Sequence, residues 1–316
     1  MSDKVLRLSI VIPAYNAAKT ICVTLESIFG ADKKDGDFDI EIIVVDDGSA
    51  DRETLKAELV DYPQVQLIHH EDNLGMCAGR NTGIFASTGD IVMILDADDR
   101  LVSGWPDALK NICDAWPEEF NLCWAGCLNA RGETTLSHPE YSGPMTREDF
   151  LREKYTGEYL PIFRGGYARK KGYVDLGTRK SCGLLSYVTF VQDSPFWLSA
   201  TSVRIYEDGR ANSVTSGWSR PEKAAESAQC LESVLERYGD QYLEVAPRIF
   251  GGKFMRLAIY RKLAGQTGAW KAFFSGFGKA SLVETGGAVA VLLLGRGFCV
   301  AAVNAARNFG LVRRYG

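Results

Sequence analysis

Three carboxylates, Asp96, Asp98 and Asp99, crowd into "LDADD" at the end of an apolar run. Like charges this close repel, so the cluster calls for a positive partner. With the Asp-x-Asp spacing, one carboxylate can accept from a ribose hydroxyl while the other ligates a hard cation. Mg²⁺ or Mn²⁺ prefers a few protein carboxylates plus substrate phosphates to a complete protein cage. Such an ion neutralises a departing diphosphate. A lone Asp-x-Asp is nevertheless more often a surface turn than a metal site. In "VVDDGS", Asp46 and Asp47 suit a turn or accept hydrogen bonds from a nucleobase or ribose. "AGRNTG" puts Arg80 and Asn81 early in a helix; an Arg80 turned inward offsets the carboxylates and holds a base or phosphate.

The elements that must position these groups alternate regularly. Runs at 8–12, 40–45, 65–70 and 90–95 are apolar without polar alternation, as buried strands are. Between them, 17–29, 51–62 and 75–88 have helical spacing. This pattern predicts a doubly wound α/β sheet, mostly parallel. Ligands of such sheets bind beyond the carboxyl ends of the strands, which here are 13–16, 46–49, 70–73 and 96–99. After residue 120 a strand at 121–130 precedes loops and a smaller mixed sheet over 131–190. Ser194–Pro195 predicts a helix within 192–203, since proline suits a first turn. Pro221 opens a further helix, and from 241 the chain reads as helical.

"SIVIPAYN", "IIVVDDGSAD" and "NLGMCAGRNTGIFASTGDIVMILDADD" stand in this order, each built around a strand end. Together they resemble the family-two inverting glycosyltransferases, which have the GT-A fold. The resemblance is close over 8–105 and fainter to about 215. It implies a GT-A domain over 1–220, with a nucleotide-sugar half (1–105) and an acceptor half (106–220), before a helical extension over 221–316. It implies a nucleotide-sugar donor, often a UDP-sugar, with Pro13, Tyr15 and Asn16 along the nucleoside and Asp46 or Asp47 on the base. It places Arg80 near base and phosphate, Asp96 by the ribose, and Asp98 on a Mn²⁺ or Mg²⁺ ion at the diphosphate. Arg210 and Ser213 match a late segment that closes over the phosphates.

Inversion needs a base that takes the acceptor's proton. Similar enzymes carry it as the Asp of a Glu-Asp pair opening a helix; "FVQDSPFW" then makes Asp193 the base, with Gln192 where Glu is usual. Asp193 also suits the N-cap of the helix expected at Ser194–Pro195. Asp175 is the next candidate. Two other readings share the sheet: a nucleotidyltransferase and a non-catalytic glycan-binding protein. The first lacks its Gly-rich phosphate loop, since "PAYNAAKT" stands there. The Gln-x-x-Arg-Trp motif of processive synthases is missing too, which favours addition of one sugar.

Charge is unevenly spread. Residues 251–316 hold ten basic side chains against Glu284 alone, a net +9, so 1–250 carry −13 of a chain at −4. The acidic balance argues against a nucleic-acid binder. The basic, aromatic end suits an anionic membrane surface and a glycan acceptor carried on a lipid. The apolar run 286–303, interrupted by Arg296, is short of the roughly 20 residues a span needs. With no leader pattern before Pro13, the expected location is the cytoplasm, at the inner face of the membrane. Eight cysteines show no CxxC pair.

Overall fold

A computed structural model of the chain describes residues 5–30, 38–180, 182–207 and 220–308. The chain forms two compact units, residues 1–209 and 210–316.

In the first unit, β1 (Leu6–Ala14), β2 (Phe38–Asp47), β3 (Val65–His70) and β4 (Ile91–Ile94) are parallel. Leu8, Ile10, Val11 and Ile12 of β1 are all fully buried, so both faces of the strand are covered. Burying each such side chain favours folding by about 1.5–3 kcal/mol. The crossovers are α1 (Ile21–Phe29), α2 (Arg52–Glu58) and α3 (Met76–Ala86).

Beyond β4 the sheet continues without a break. β8 (Tyr159–Arg164) lies antiparallel between β4 and β6 (Leu122–Asn129), and β9 (Phe196–Tyr206) runs parallel to β6. Short β5 (Arg100–Leu101) and β7 (Gly143–Met145) pair antiparallel with β9. The order is β3-β2-β1-β4-β8-β6-β9-β5, so the mixed part, expected as a smaller sheet, is an extension of the parallel part. Helices α4 (Trp105–Ala115), α5 (Arg147–Leu151), α6 (Gly165–Lys171) and α7 (Gly183–Asp193) complete the unit.

The helix expected within 192–203 is corrected. Helix α7 ends at Asp193, Ser194 is extended, and β9 begins at Phe196. Pro195 marks the stop after a helix, because a residue before proline is driven out of the helical region. Asp193 therefore closes a helix and caps no N-terminus.

The second unit is helical: α8 (Pro221–Val245), α9 (Pro247–Leu263), α10 (Ala269–Gly276) and α11 (Leu282–Asn308), the last broken at Gly295, where φ is 77°. Its own core gathers Ala228, Leu231, Met255, Ala258, Phe273 and Leu292. Lys253 is buried there, its Nζ 4.7 Å from the centre of the Tyr242 ring. No helix among the described residues is long and apolar enough to cross a membrane.

Candidate active site

The site grows from the carboxyl ends of β1, β2 and β4. At the end of β2, Asp46 and Asp47 stand opposite His69 and His70 of β3. Asp46 Oδ2 meets His69 Nδ1 at 2.8 Å, and its Oδ1 accepts from Ser49 N at 3.1 Å. Asp47 Oδ1 meets His70 Nδ1 at 2.7 Å and accepts from Leu74 N at 2.9 Å, while Oδ2 accepts from Gly75 N at 2.8 Å. Both carboxylates are buried. The protein's own donors and the two histidines hold both carboxylates in fixed orientations at the strand end, and through them the loops of the site.

Asp47 thereby holds the loop that starts α3. Gly75 there has φ +101°, and a Cβ on it would run into Thr178 O, so the segment around Thr178 passes directly over the helix start. Met76 N donates to Arg179 O at 3.4 Å in the same crossing. Two turns along α3, Asn81 Oδ1 accepts from Tyr173 N at 2.6 Å. The stretch from Tyr173 to Arg179 is thus laid along α3, whose Arg80 has its guanidinium 5.2 Å from the Tyr173 ring centre.

Arg80 reaches the "LDADD" turn, its Nη2 3.2 Å from Asp96 Oδ1. Two threonines pin that turn, one just before α1 and one within it: Thr20 Oγ1 donates to Ala97 O and Thr24 Oγ1 to Asp99 O, each at 2.8 Å. Asp96 and Asp98 are half-buried, whereas Ala97 and Asp99 between and beside them are buried. The alternation sends one pair of carboxylates outward and the third inward.

The inward one, Asp99, meets a residue that the motifs did not reveal. Arg204 of β9 is buried, with Nη1 3.1 Å from Asp99 Oδ2 and 3.9 Å from Asp96 Oδ2, and Nη2 3.5 Å from Glu158 Oε2. Burial pushes the Asp99 carboxyl up to about 7 against the pull of Arg204, with Asp96 adding to the rise. Burial likewise raises Glu158, which Arg204 draws back down. Both guanidiniums are held more firmly protonated by their carboxylates, although burial opposes this. The crowding of Asp96 and Asp99 is therefore offset by two arginines, Arg204 buried and Arg80 half-buried.

Pro13, Tyr15 and Asn16 lie at the end of β1, Tyr15 exposed and Pro13 half-buried. Asn16 adopts φ 52°, a left-handed conformation that asparagine tolerates. Its Oδ1 accepts from Ala50 N at 2.9 Å and its N donates to Ser49 Oγ at 2.8 Å, which ties the loops after β1 and β2 together.

Asp193 is not brought to this cluster. Its Oδ2 accepts from Tyr167 OH at 2.8 Å and pairs with Lys171 Nζ at 2.7 Å. Tyr167 and Lys171 belong to α6, which follows the end of β8 paired with Ile91 at the start of β4. Asp193 also precedes β9, whereas Arg204 stands near its other end. From the level of Trp197 to that of Arg204 the partner strand advances from Cys123 to Cys127, about 13 Å at roughly 3.3 Å per residue. Asp193 lies further back still. The base reading of Asp193 is corrected on this geometry. Asp175 sits in the exposed loop along α3, Oδ1 accepting from Gly177 N at 2.8 Å. Glu158 leads into β8 at the end nearer Arg204. Arg210 and Ser213 lie outside the described residues. Cys123 and Cys127 are buried free thiols.

Residues 9–169 match the family model described as Glycosyl transferase family 2. Over 91% of its length the chain is 25% identical to a GalNAc(5)-diNAcBac-PP-undecaprenol beta-1,3-glucosyltransferase of Campylobacter jejuni, 92% of which is covered. It is 31% identical to the human dolichyl-phosphate beta-glucosyltransferase over 37% of this chain and 39% of that one. Among solved structures it is similar to residues 1–349 of S. aureus TarS in complex with UDP-GlcNAc. That likeness has a TM-score of 0.60 at 15% identity and covers 86% of this chain and 89% of the other.

Proposed function

The chain belongs to glycosyl transferase family 2, and on that premise we propose that it moves one sugar, with inversion, from a nucleotide-sugar donor to a hydroxyl of a lipid-linked glycan. The observation that carries this is the Asp96–Arg80 pair at the carboxyl end of β4, 3.2 Å apart, with Arg204 behind it. Arg80 Nε is buried without a hydrogen-bond partner among the described residues. A buried orphan donor beside an acidic turn suits a phosphate or ribose acceptor. A UDP-sugar is the first donor to test, since the similar TarS structure is a complex with UDP-GlcNAc. The lipid-linked acceptor is supported by relatives named for undecaprenol and dolichyl phosphate.

The residues fit a divalent ion in a limited way. Among the described residues no group of three or more His, Cys, Asp and Glu side chains gathers to hold a metal. Asp98, with Asp96 two residues before it, offers the short carboxylate set that Mn²⁺ or Mg²⁺ accepts when diphosphate oxygens complete its shell. Bound there, the ion supplies charge neutralisation of the leaving diphosphate. Arg80 adds a fixed positive charge on the same side.

As the acceptor oxygen attacks the anomeric carbon, its proton passes to a carboxylate and the bond to the diphosphate breaks. Glu158 and Asp175 are the candidates by position. Replacing the base with its amide loses about 10²–10⁴-fold in turnover. Glu158→Gln and Asp175→Asn, each with nucleotide affinity measured alongside, decide between them: the base variant keeps affinity and loses turnover. The test of the reading as a whole is calorimetric titration with UDP, GDP and dTDP, with and without Mn²⁺, on wild type and Asp98→Ala. UDP binding that needs the ion and is lost in Asp98→Ala is expected. If no nucleotide binds under any condition, the donor site does not exist.

A further inference from the structure

Helix α10 carries apolar side chains on both its buried and its exposed side. Its inner face, Ala269, Ala272, Phe273 and Gly276, is buried in the core of the second unit. Its outer face should be polar, yet it carries Trp270, Phe274 and Phe277, which are 44%, 66% and 58% exposed. The spacing of four and then three residues puts all three on one side of the helix. Trp270 and Phe274 stack with centroids 6.1 Å apart. After the turn at Gly278, where φ is +78°, Leu282 and Val283 at the start of α11 are 91% and 85% exposed.

We propose that this aromatic face of α10, continued by Leu282 and Val283, is where the protein seats itself on an anionic lipid bilayer. The proposal goes beyond glycosyl transfer and does not depend on it. Charge selects the partner. Lys271 and Lys279 are exposed beside the aromatics. Among the described residues from 251 onward the one acidic side chain is Glu284. Its Oε2 accepts from Ser281 N at 3.0 Å and Ser281 Oγ at 2.6 Å. A second copy docked through the same face would set like charges against each other across the contact. Anionic headgroups would instead meet lysines whose stems lie along apolar surface. Aromatic rings between water and acyl chains are a favoured interfacial arrangement. With no described helix able to cross a membrane, the contact is a surface one.

The test uses the full chain with phosphatidylcholine vesicles, with and without phosphatidylglycerol, and no donor or acceptor. Wild type should sediment with the phosphatidylglycerol vesicles, less so at high salt. Adding these vesicles should shift the fluorescence of wild type to the blue relative to Trp270→Phe. Phe274→Ser alone should weaken sedimentation, and the triple variant Trp270→Ser/Phe274→Ser/Phe277→Ser should weaken it by about tenfold or more. Lys271→Glu/Lys279→Glu should lose the preference for the anionic lipid. Helical circular dichroism and thermal melting of each variant report that the second unit, which is helical, remains folded. The proposal is overturned if wild type ignores phosphatidylglycerol vesicles, or if the triple variant binds them unchanged. It is overturned equally if wild type forms a dimer in solution that the triple variant abolishes, since the face then belongs to a second copy.

Discussion

Arg204 joins Asp96, Asp99 and Glu158 in one charged cluster, and its tightest partner is the buried Asp99. Removing one partner of a buried ion cluster leaves an uncompensated charge, which costs about 3–5 kcal/mol. Arg204→Met should therefore lower stability by that order in urea unfolding. Arg204→Lys should recover only part, because a point charge cannot serve several carboxylates as a planar fork does. Asp193→Asn should leave turnover intact, since Asp193 faces Tyr167 and Lys171. Burial raises the Asp193 carboxyl, but Lys171 and Tyr167 outweigh it and hold it below its ordinary value. A depressed carboxylate stabilises the fold above its unfolded pKa of about 3.9 and stops doing so as pH falls through the lower folded value. The gap in melting temperature between wild type and Asp193→Asn should thus be open at pH 7 and close below about pH 4. The Asp96–Arg80 pairing was foreshadowed in the sequence because Asp96 follows a strand and Arg80 lies in a short motif early in a helix. Arg204 was not, because its partners Asp96, Asp99 and Glu158 are all distant in the chain and no local pattern links them.

At the scale of elements, the start of α3 is the part of the site most exposed to substitution. Gly75 and Gly104 both have positive φ, but a Cβ on Gly104 meets nothing within 4 Å, whereas one on Gly75 meets Thr178 O. Strain of this kind costs about 1–3 kcal/mol. Gly75→Ala should pay both strain and collision, and should weaken nucleotide binding by displacing the helix that carries Arg80. Gly104→Ala should show the strain alone and leave nucleotide affinity unchanged; paired titrations check this. The parallel half was readable because its strands are unbroken apolar runs separated by helical spacing. The junction of α7 and β9 was not, because Ser-Pro signals a helix start and a helix end equally well. What decides is whether the apolar residues that follow, Phe196, Leu198 and Val203, find a neighbouring strand.

At the scale of the molecule, each unit has a hydrophobic core of its own. Ligands of different chemistry should accordingly leave different marks in hydrogen exchange. UDP with Mn²⁺ should slow exchange around 73–81, 96–101 and 204, and anionic vesicles should slow it around 269–284; vesicle protection spread over β1 to β4 would contradict this. The contrast was written in the sequence as an acidic body and a basic end. Which residues of that end face outward was not, because α10 has aromatic residues on both faces and only packing reveals that Phe273 is inside and Phe274 outside. The same contrast governs how the protein handles on the bench. Its pI of about 5.6 is an average, and no matrix or partner meets the average. At low ionic strength it should adhere to cation-exchange and anion-exchange resins alike, and leave each only as salt rises.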